Sequence, residues 1–168
     1  ADHANTPSMF RTELRDGVLL AVLDMPGRSM NVFSWGLMDQ LEALIDRVEH
    51  DQAIKALVLT SGKETFLAGA DLDMVRGFTD AGKTASRAEL RETCGRLGRL
   101  FVRLEAMSKP AVAAINGLAL GGGLEITMAC RSRIVVDDPR IQLGLPEIKL
   151  GLLSGAGGTQ RLPRLIGI

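Results

Sequence analysis

Glu125 follows Gly122 by three residues in the run Gly117-Leu-Ala-Leu-Gly-Gly-Gly-Leu-Glu125. On a helix these two residues lie one turn apart on one face. The run leaves an apolar strand candidate, Ala111–Ile115, and enters Ile126-Thr-Met-Ala-Cys130, which continues as a buried helix. Glycines at a strand-to-helix turn leave backbone N–H groups open to close approach. A bare amide beside a carboxylate can hold an anionic oxygen while a proton moves at the neighbouring carbon. Taken alone, the run fits equally a glycine-rich turn that serves close helix–strand packing.

Two further segments repeat the arrangement. Phe66-Leu-Ala-Gly-Ala-Asp-Leu72 follows the apolar strand candidate Ala56–Thr60 and turns into a helix start that Asp71 can cap. One open amide in each of two such turns makes a two-donor oxyanion hole. Leu143-Gly-Leu-Pro-Glu-Ile148 adds a second carboxylate, Glu147, beside a proline that fixes the local backbone. The chemistry-bearing parts are therefore two amides and two carboxylates on three loops.

These segments resemble the enoyl-CoA hydratase/isomerase (crotonase) family. The resemblance is carried by Phe66–Leu72, by Asn116-Gly117 with Gly121–Glu125, and by Pro146-Glu147 followed by Gly151 and Gly155-Ala-Gly-Gly-Thr-Gln-Arg-Leu162. It runs from about Met9 to Gly167, with the motifs in order. Asp24–Phe33 and Asp137–Arg140 look most like the hydratase part of multifunctional fatty-acid oxidation α-subunits. The resemblance implies catalysis by Glu125 and Glu147 and an oxyanion hole made by the amides of Ala70 and Gly122. It places Ala68, Asp71, Leu72 and Gly121 at the substrate. It implies hydration of trans-2-enoyl-CoA to 3-hydroxyacyl-CoA, with 3-enoyl to 2-enoyl isomerisation as a second activity. Other readings are an isomerase or thioester hydrolase of the same type, or a non-catalytic acyl-CoA-binding module. The implied substrate is an acyl-CoA thioester, with CoA arriving as part of it and no separate cofactor. The implied assembly is a trimer-based homo-oligomer or a fatty-acid oxidation complex, in bacterial cytoplasm rather than a mitochondrial matrix. Ser154 stands where the family usually has proline.

The remaining composition narrows the alternatives. The chain has 168 residues, 46% of them hydrophobic, enough for the core of one domain. Its 20 basic and 20 acidic residues balance, so no nucleic acid or other polyanion is implied. It carries no long apolar span, which predicts a soluble protein. Cys94 and Cys130 fall in helical stretches and read as buried free thiols, while His3 and His50 are poor ligands or catalysts and no metal site is expected. Gly155-Ala-Gly-Gly158 fits neither a Walker loop nor a dinucleotide fingerprint and reads as close packing before a helix. Trp35 reads as a packing residue, and Met30 and Met74 as core filling.

The elements that must position these residues follow from periodicity and turn chemistry. Asp16-Gly17 between Phe10–Leu14 and Val18–Leu23 predicts a hairpin. Ser34 caps a helix to about Glu49 with Leu37, Leu41, Leu44, Ile45 and Val48 on one face. A strand at Ala56–Thr60 and a helix from Ser86 to Ala106 follow, then strands at Ala111–Ile115, Arg133–Val136 and Ile141–Leu143, and a last helix at Thr159–Leu165. The alternation is that of an α/β fold. The family resemblance makes it a crotonase-like spiral of ββα units with its C-terminal helical part missing. Residues 1–8 are expected to form a disordered lead to a core at 9–168. Leu162, Leu165, Ile166 and Ile168 are apolar residues that later helices would cover.

Overall fold

The computed structural model describes residues 7–167; most of the expected lead lies outside them. Pro7 and Ser8 do not behave as a free lead. The Pro7 carbonyl accepts from Gln40 and the Met9 amide donates to the same side chain, which ties this stretch to the first helix.

Strands β1 (Phe10–Arg15) and β2 (Val18–Leu23) form the predicted hairpin. Asp16 and Gly17 both take positive φ, 51° and 82°, as a tight hairpin turn of this kind requires. Helix α1 (Trp35–His50) starts at Ser34, whose side chain accepts from the Leu37 amide. Strand β3 (Ala56–Ser61) then pairs parallel to β2. Helices α2 (Leu72–Thr84) and α3 (Arg87–Ala106) follow, α3 opening with a capping box between Ser86 and Glu89. Strands β4 (Ala111–Ile115) and β6 (Ser132–Val135) complete a five-stranded sheet in the order β1-β2-β3-β4-β6, parallel except for the hairpin.

Strands β2, β3 and β4 each bury alternate residues. The register lines Leu19 up with Leu57 and Ala111, and Ala21 with Leu59 and Ala113. That face forms one core with Leu37, Met38, Leu41, Ile45 and Val48 of α1 and Leu100, Phe101 and Leu104 of α3. On the outer side, Arg96 of α3 pairs with Asp39 and Glu42 of α1, and Arg103 with Asp46 and Glu49.

A second, two-stranded sheet carries the site. Strand β5 (Ala119–Leu120) pairs parallel with β7 (Leu143–Gly144). Helix α4 (Gly122–Ala129) leaves β5 directly, a short 3-10 helix (Glu147–Leu150) follows β7, and helix α5 (Gly158–Ile166) comes last. Among the described residues no helix is long and apolar enough to cross a membrane.

Two expectations about burial need correction, and the strand expected at Ile141–Leu143 forms at Leu143–Gly144. Cys94 is exposed, although Cys130 is buried as expected. Cys94 shares a helical face with the buried Phe101, but no residue in the first half of α3 is fully buried, and full burial starts only at Leu100. Met74 is a core residue, whereas Met30 is 45% exposed and fills no core. Trp35 packs edge-on against Phe78, 5.4 Å between ring centroids, and so joins α1 to α2. Leu165 and Ile166 are exposed; Ile168 lies outside the described residues.

Asn31 ties the ends of β2 and β3 to the 66–68 segment. Its side chain is fully buried, accepts from the Met25 amide, and donates to the Leu23 and Phe66 carbonyls and to Ser61 Oγ. Replacing Asn31 by Ala strands the Met25 amide and the Phe66 carbonyl, while the Leu23 carbonyl keeps the Gly62 amide and Ser61 Oγ keeps Thr65 and Lys63. We predict a loss of about 3 kcal/mol or more, at roughly 1–3 kcal/mol per buried unpaired group. Urea denaturation of Asn31→Ala measures it, and a loss near zero would show that the hub does not hold the fold.

Candidate active site

Two turns lie against each other with backbone on backbone. The Phe66 and Leu67 amides donate to the Leu118 carbonyl, and the Leu120 amide donates to the Leu67 carbonyl. Two glycines permit this approach. A Cβ on Gly117 would stand 1.9 Å from the Glu64 carbonyl oxygen, and one on Gly123 2.0 Å from that of Leu67. No side chain fits at either place.

The first amide is freed by strand alternation. The Phe33 amide donates to Gly69 O, and the Asp71 amide to Phe33 O, so Phe33 bridges Ala70 in parallel fashion. In such a ladder the residue between the two bonded ones turns its own N–H to the opposite side. The Ala70 amide thus points away from the Phe33 strand, and among the described residues it has no backbone acceptor. The second amide is freed by a helix start. Gly122 is the first residue of α4, so its N–H has no acceptor one turn back. The positive end of the α4 dipole adds to its attraction for an anionic oxygen. The two turns meet here: a Cβ on Gly121 would lie 3.8 Å from the Gly69 Cα.

Gly121 shapes the turn rather than offering a donor. It takes φ 54° and ψ −127°, a conformation tolerated by glycine. Its amide is already given to the Gly144 carbonyl at 2.9 Å. That bond and the β5–β7 pairing carry Pro146-Glu147 to the glycine turn. A Cβ on Gly121 would be 3.1 Å from Glu147 Oε1. Glu147 is half-buried, and its Oε2 is buried with no hydrogen-bond partner among the described residues.

Glu125 sits one turn into α4 and is 3% exposed. Its Oε1 accepts from the Ala156 amide at 2.9 Å and the Gly158 amide at 2.7 Å. Burial pushes its pKa above the ordinary carboxylate range. The two amide donors pull it back, and the nearby charge of Glu147 adds to the rise. The two carboxylates therefore share an electrostatic environment beside two unbonded amides, a constellation suited to proton transfer next to a stabilised oxyanion.

The remaining expected site residues take supporting places. The half-buried Ala68 gives its amide to the Asn31 carbonyl. Asp71 caps α2 by accepting from the Asp73 amide at 2.8 Å, and it pairs with Arg28 at 2.5 Å. The Asp73 bond first, and then Arg28, hold its pKa below the usual range. Leu72 opens α2 with its side chain 68% exposed. Ser154 packs under the last turn, where a Cβ on Gly158 would come within 3.0 Å of its own Cβ. Among the described residues no three His, Cys, Asp or Glu side chains converge as a metal site.

Sequence reasoning missed the groups that grip Glu125, the amides of Ala156 and Gly158, and the buried Arg161 beneath them. One signal was available: Arg161 follows Gly158 by three residues at a helix start, the spacing that drew attention to Gly122 and Glu125.

A family description for enoyl-CoA hydratase/isomerase matches residues 13–168. Among curated proteins, the fatty acid oxidation complex subunit alpha of Idiomarina loihiensis is 45% identical over 161 residues, and that of Shewanella amazonensis is 46% identical over 154. These matches take in 95% and 91% of this chain, which spans only 22% and 21% of those relatives. Among solved structures, an enoyl-CoA hydratase from Bacillus anthracis superposes with a TM-score of 0.79 at 32% identity, over 96% of this chain and 59% of that one. Pseudomonas aeruginosa DspI superposes with a TM-score of 0.81 at 35% identity, over 100% of this chain and 60% of that one. With the α/β sheet order and the two-turn site already in place, these likenesses show that the chain has the crotonase fold and belongs to the enoyl-CoA hydratase/isomerase family.

Proposed function

We propose that this chain adds water to trans-2-enoyl-CoA thioesters, giving 3-hydroxyacyl-CoA, as a step of fatty-acid oxidation. The observation that carries this reading is the pairing of Glu125 and Glu147 beside the open amides of Ala70 and Gly122. The thioester oxygen accepts from the two amides, which stabilises enolate-like charge as water attacks C3. One carboxylate takes the proton from the water and the other supplies a proton to C2, so one water is added and no redox change occurs. CoA enters as part of the substrate, and no separate cofactor takes part. The same amides and a single shuttling carboxylate also support 3-enoyl to 2-enoyl isomerisation as a second activity. The proposal includes a bacterial cytoplasmic setting and assembly as a trimer-based oligomer or within a fatty-acid oxidation complex, in keeping with the names of the bacterial relatives.

Hydration of crotonyl-CoA and of a long-chain enoyl-CoA tests the reaction. Glu125→Gln and Glu147→Gln should each lower turnover by about 100-fold or more while acyl-CoA binding persists. If both variants keep wild-type rates, the acid–base assignment is wrong.

Gly122→Pro removes one oxyanion donor at the first helical position, where proline is tolerated. Its turnover should fall by about 100- to 1,000-fold, in line with a barrier increase of roughly 3–4 kcal/mol. The added ring meets Phe33, since a Cβ at 122 would lie 3.0 Å from that ring. A melting curve of the same variant separates this packing cost from the lost donor. A folded variant with full activity would remove Gly122 from the mechanism.

The raised pKa of Glu125 also predicts a stability effect. The folded chain holds this proton more tightly than the unfolded chain. As pH rises past the ordinary carboxylate range, the unfolded chain releases it first, and stability from this group is lost until pH passes the folded pKa. Glu125→Gln removes that titration. Its melting temperature relative to wild type should therefore rise with pH over this window and then level off. A difference that shrinks as pH rises would contradict the direction of the shift.

A further inference from the structure

We propose that Arg161 is a positioning residue for Glu125, acting through the main chain of the 155–158 turn and anchored in its turn by Glu105. The inference rests on the acid–base reading of Glu125 given above. Arg161 is 7% exposed, an unusual burial for a guanidinium. Its Nη1 donates to the Ala156 carbonyl at 2.9 Å, and its Nε and Nη2 donate to Glu105 Oε2 at 3.1 and 2.7 Å. The turn closes tightly over it: Gly157 takes φ 101°, and a Cβ there would stand 2.2 Å from Nη1.

The order of peptides along the turn gives this contact its meaning. The Ala156 N–H belongs to the peptide before Ala156 and donates to Glu125. The Gly158 N–H belongs to the peptide after Gly157 and donates to the same oxygen. The peptide between them presents the carbonyl that Arg161 holds. Arg161 thus fixes the middle of three successive peptides, and the outer two fix the carboxylate. Without that hold, the 156–157 peptide is free to shift, and the donors on either side of it lose their fixed aim at Glu125. Glu105, on α3, ties the guanidinium to an element that α1 already holds from the far side. Small misplacements of a catalytic group cost large factors in rate, so an effect on chemistry is expected although Arg161 touches no reacting atom.

The test compares wild type with Arg161→Gln, Arg161→Lys and Glu105→Gln. Arg161→Gln should lower kcat for enoyl-CoA hydration by about tenfold or more with KM nearly unchanged. The limb of its pH–rate profile that Glu125 sets should move to higher pH as Glu125 loses its donors and the nearby charge of Arg161. Arg161→Lys, which keeps the charge but not the fork, should recover only part of the rate. Glu105→Gln, at an exposed partner, leaves the Ala156 contact in place and should give a smaller change in the same direction; it also serves if Arg161→Gln does not fold. Amide hydrogen exchange by NMR reads the turn without any activity. Protection at Ala156 and Gly158 should fall in the variants while amides of β3 and β4 stay protected. Folded variants with wild-type kcat and pH profile, and with both turn amides still protected, would overturn the proposal. Loss of stability without a change in kcat or in the two amides would assign Arg161 a purely structural role and overturn it as well. A wild-type chain without hydratase activity would sink the proposed function alone, leaving the exchange result to decide on the turn.

Discussion

Direct contact between two stretches of main chain, with no room for a Cβ between them, is the constraint on which this structure depends. The Gly117 and Gly123 positions let the 117–123 turn lie against the 64–67 segment. Because the turns touch, strand β5 falls where it can pair with both Leu67 and β7. Because β7 pairs there, Glu147 arrives beside Gly121. The Ala70 amide and the start of α4 come together for the same reason. A single added methyl group at Gly123 would be a change in the geometry of the site, not a local packing defect.

The electrostatics work against the fold. Glu125 is buried in the protein, near a second carboxylate, with only two backbone amides on the oxygen that accepts. Burial of a carboxylate is costly unless it is paired or hydrogen-bonded. Charge has been supplied indirectly, through oriented peptides and the arginine behind them, rather than through a direct ion pair. A direct ion pair could engage both carboxylate oxygens, while the peptide donors occupy Oε1 alone. Asp71 shows the contrast: it pairs directly with Arg28, caps a helix, and its pKa falls.

Much of the fold was legible in the sequence because its signals are local. The Asp16-Gly17 turn, the Ser34 cap and the apolar faces of α1 and of the second half of α3 all appear where residue spacing puts them. Glu125 and Gly122 were legible for the same reason, as one helical turn. What escaped depended on distant parts of the chain. Cys94 has the periodicity of a buried residue, but how far along α3 the core extends is set by what packs against it. Strand β7 was expected at Ile141–Leu143 and forms at Leu143–Gly144, since a two-residue strand is placed by its partner β5 more than by its own composition. The freedom of the Ala70 amide follows from the bridge to Phe33, 37 positions away along the chain and silent in any local pattern. The 155–158 turn was read as packing because its amides point to a carboxylate 31 and 33 positions earlier.

The grip on Glu125 by Ala156 and Gly158 also has a meaning for biosynthesis. A ribosome releases the chain from its N-terminal end, so the glycine turn and Glu125 emerge before the residues that enclose them. Until the 155–158 turn docks, Glu125 lacks the two amides that its Oε1 accepts from. The environment that sets the acidity of Glu125 is complete only when the 155–158 turn has docked, although the carboxylate itself is made earlier in the chain. Interference with that docking would leave Glu125 without both of its amide donors.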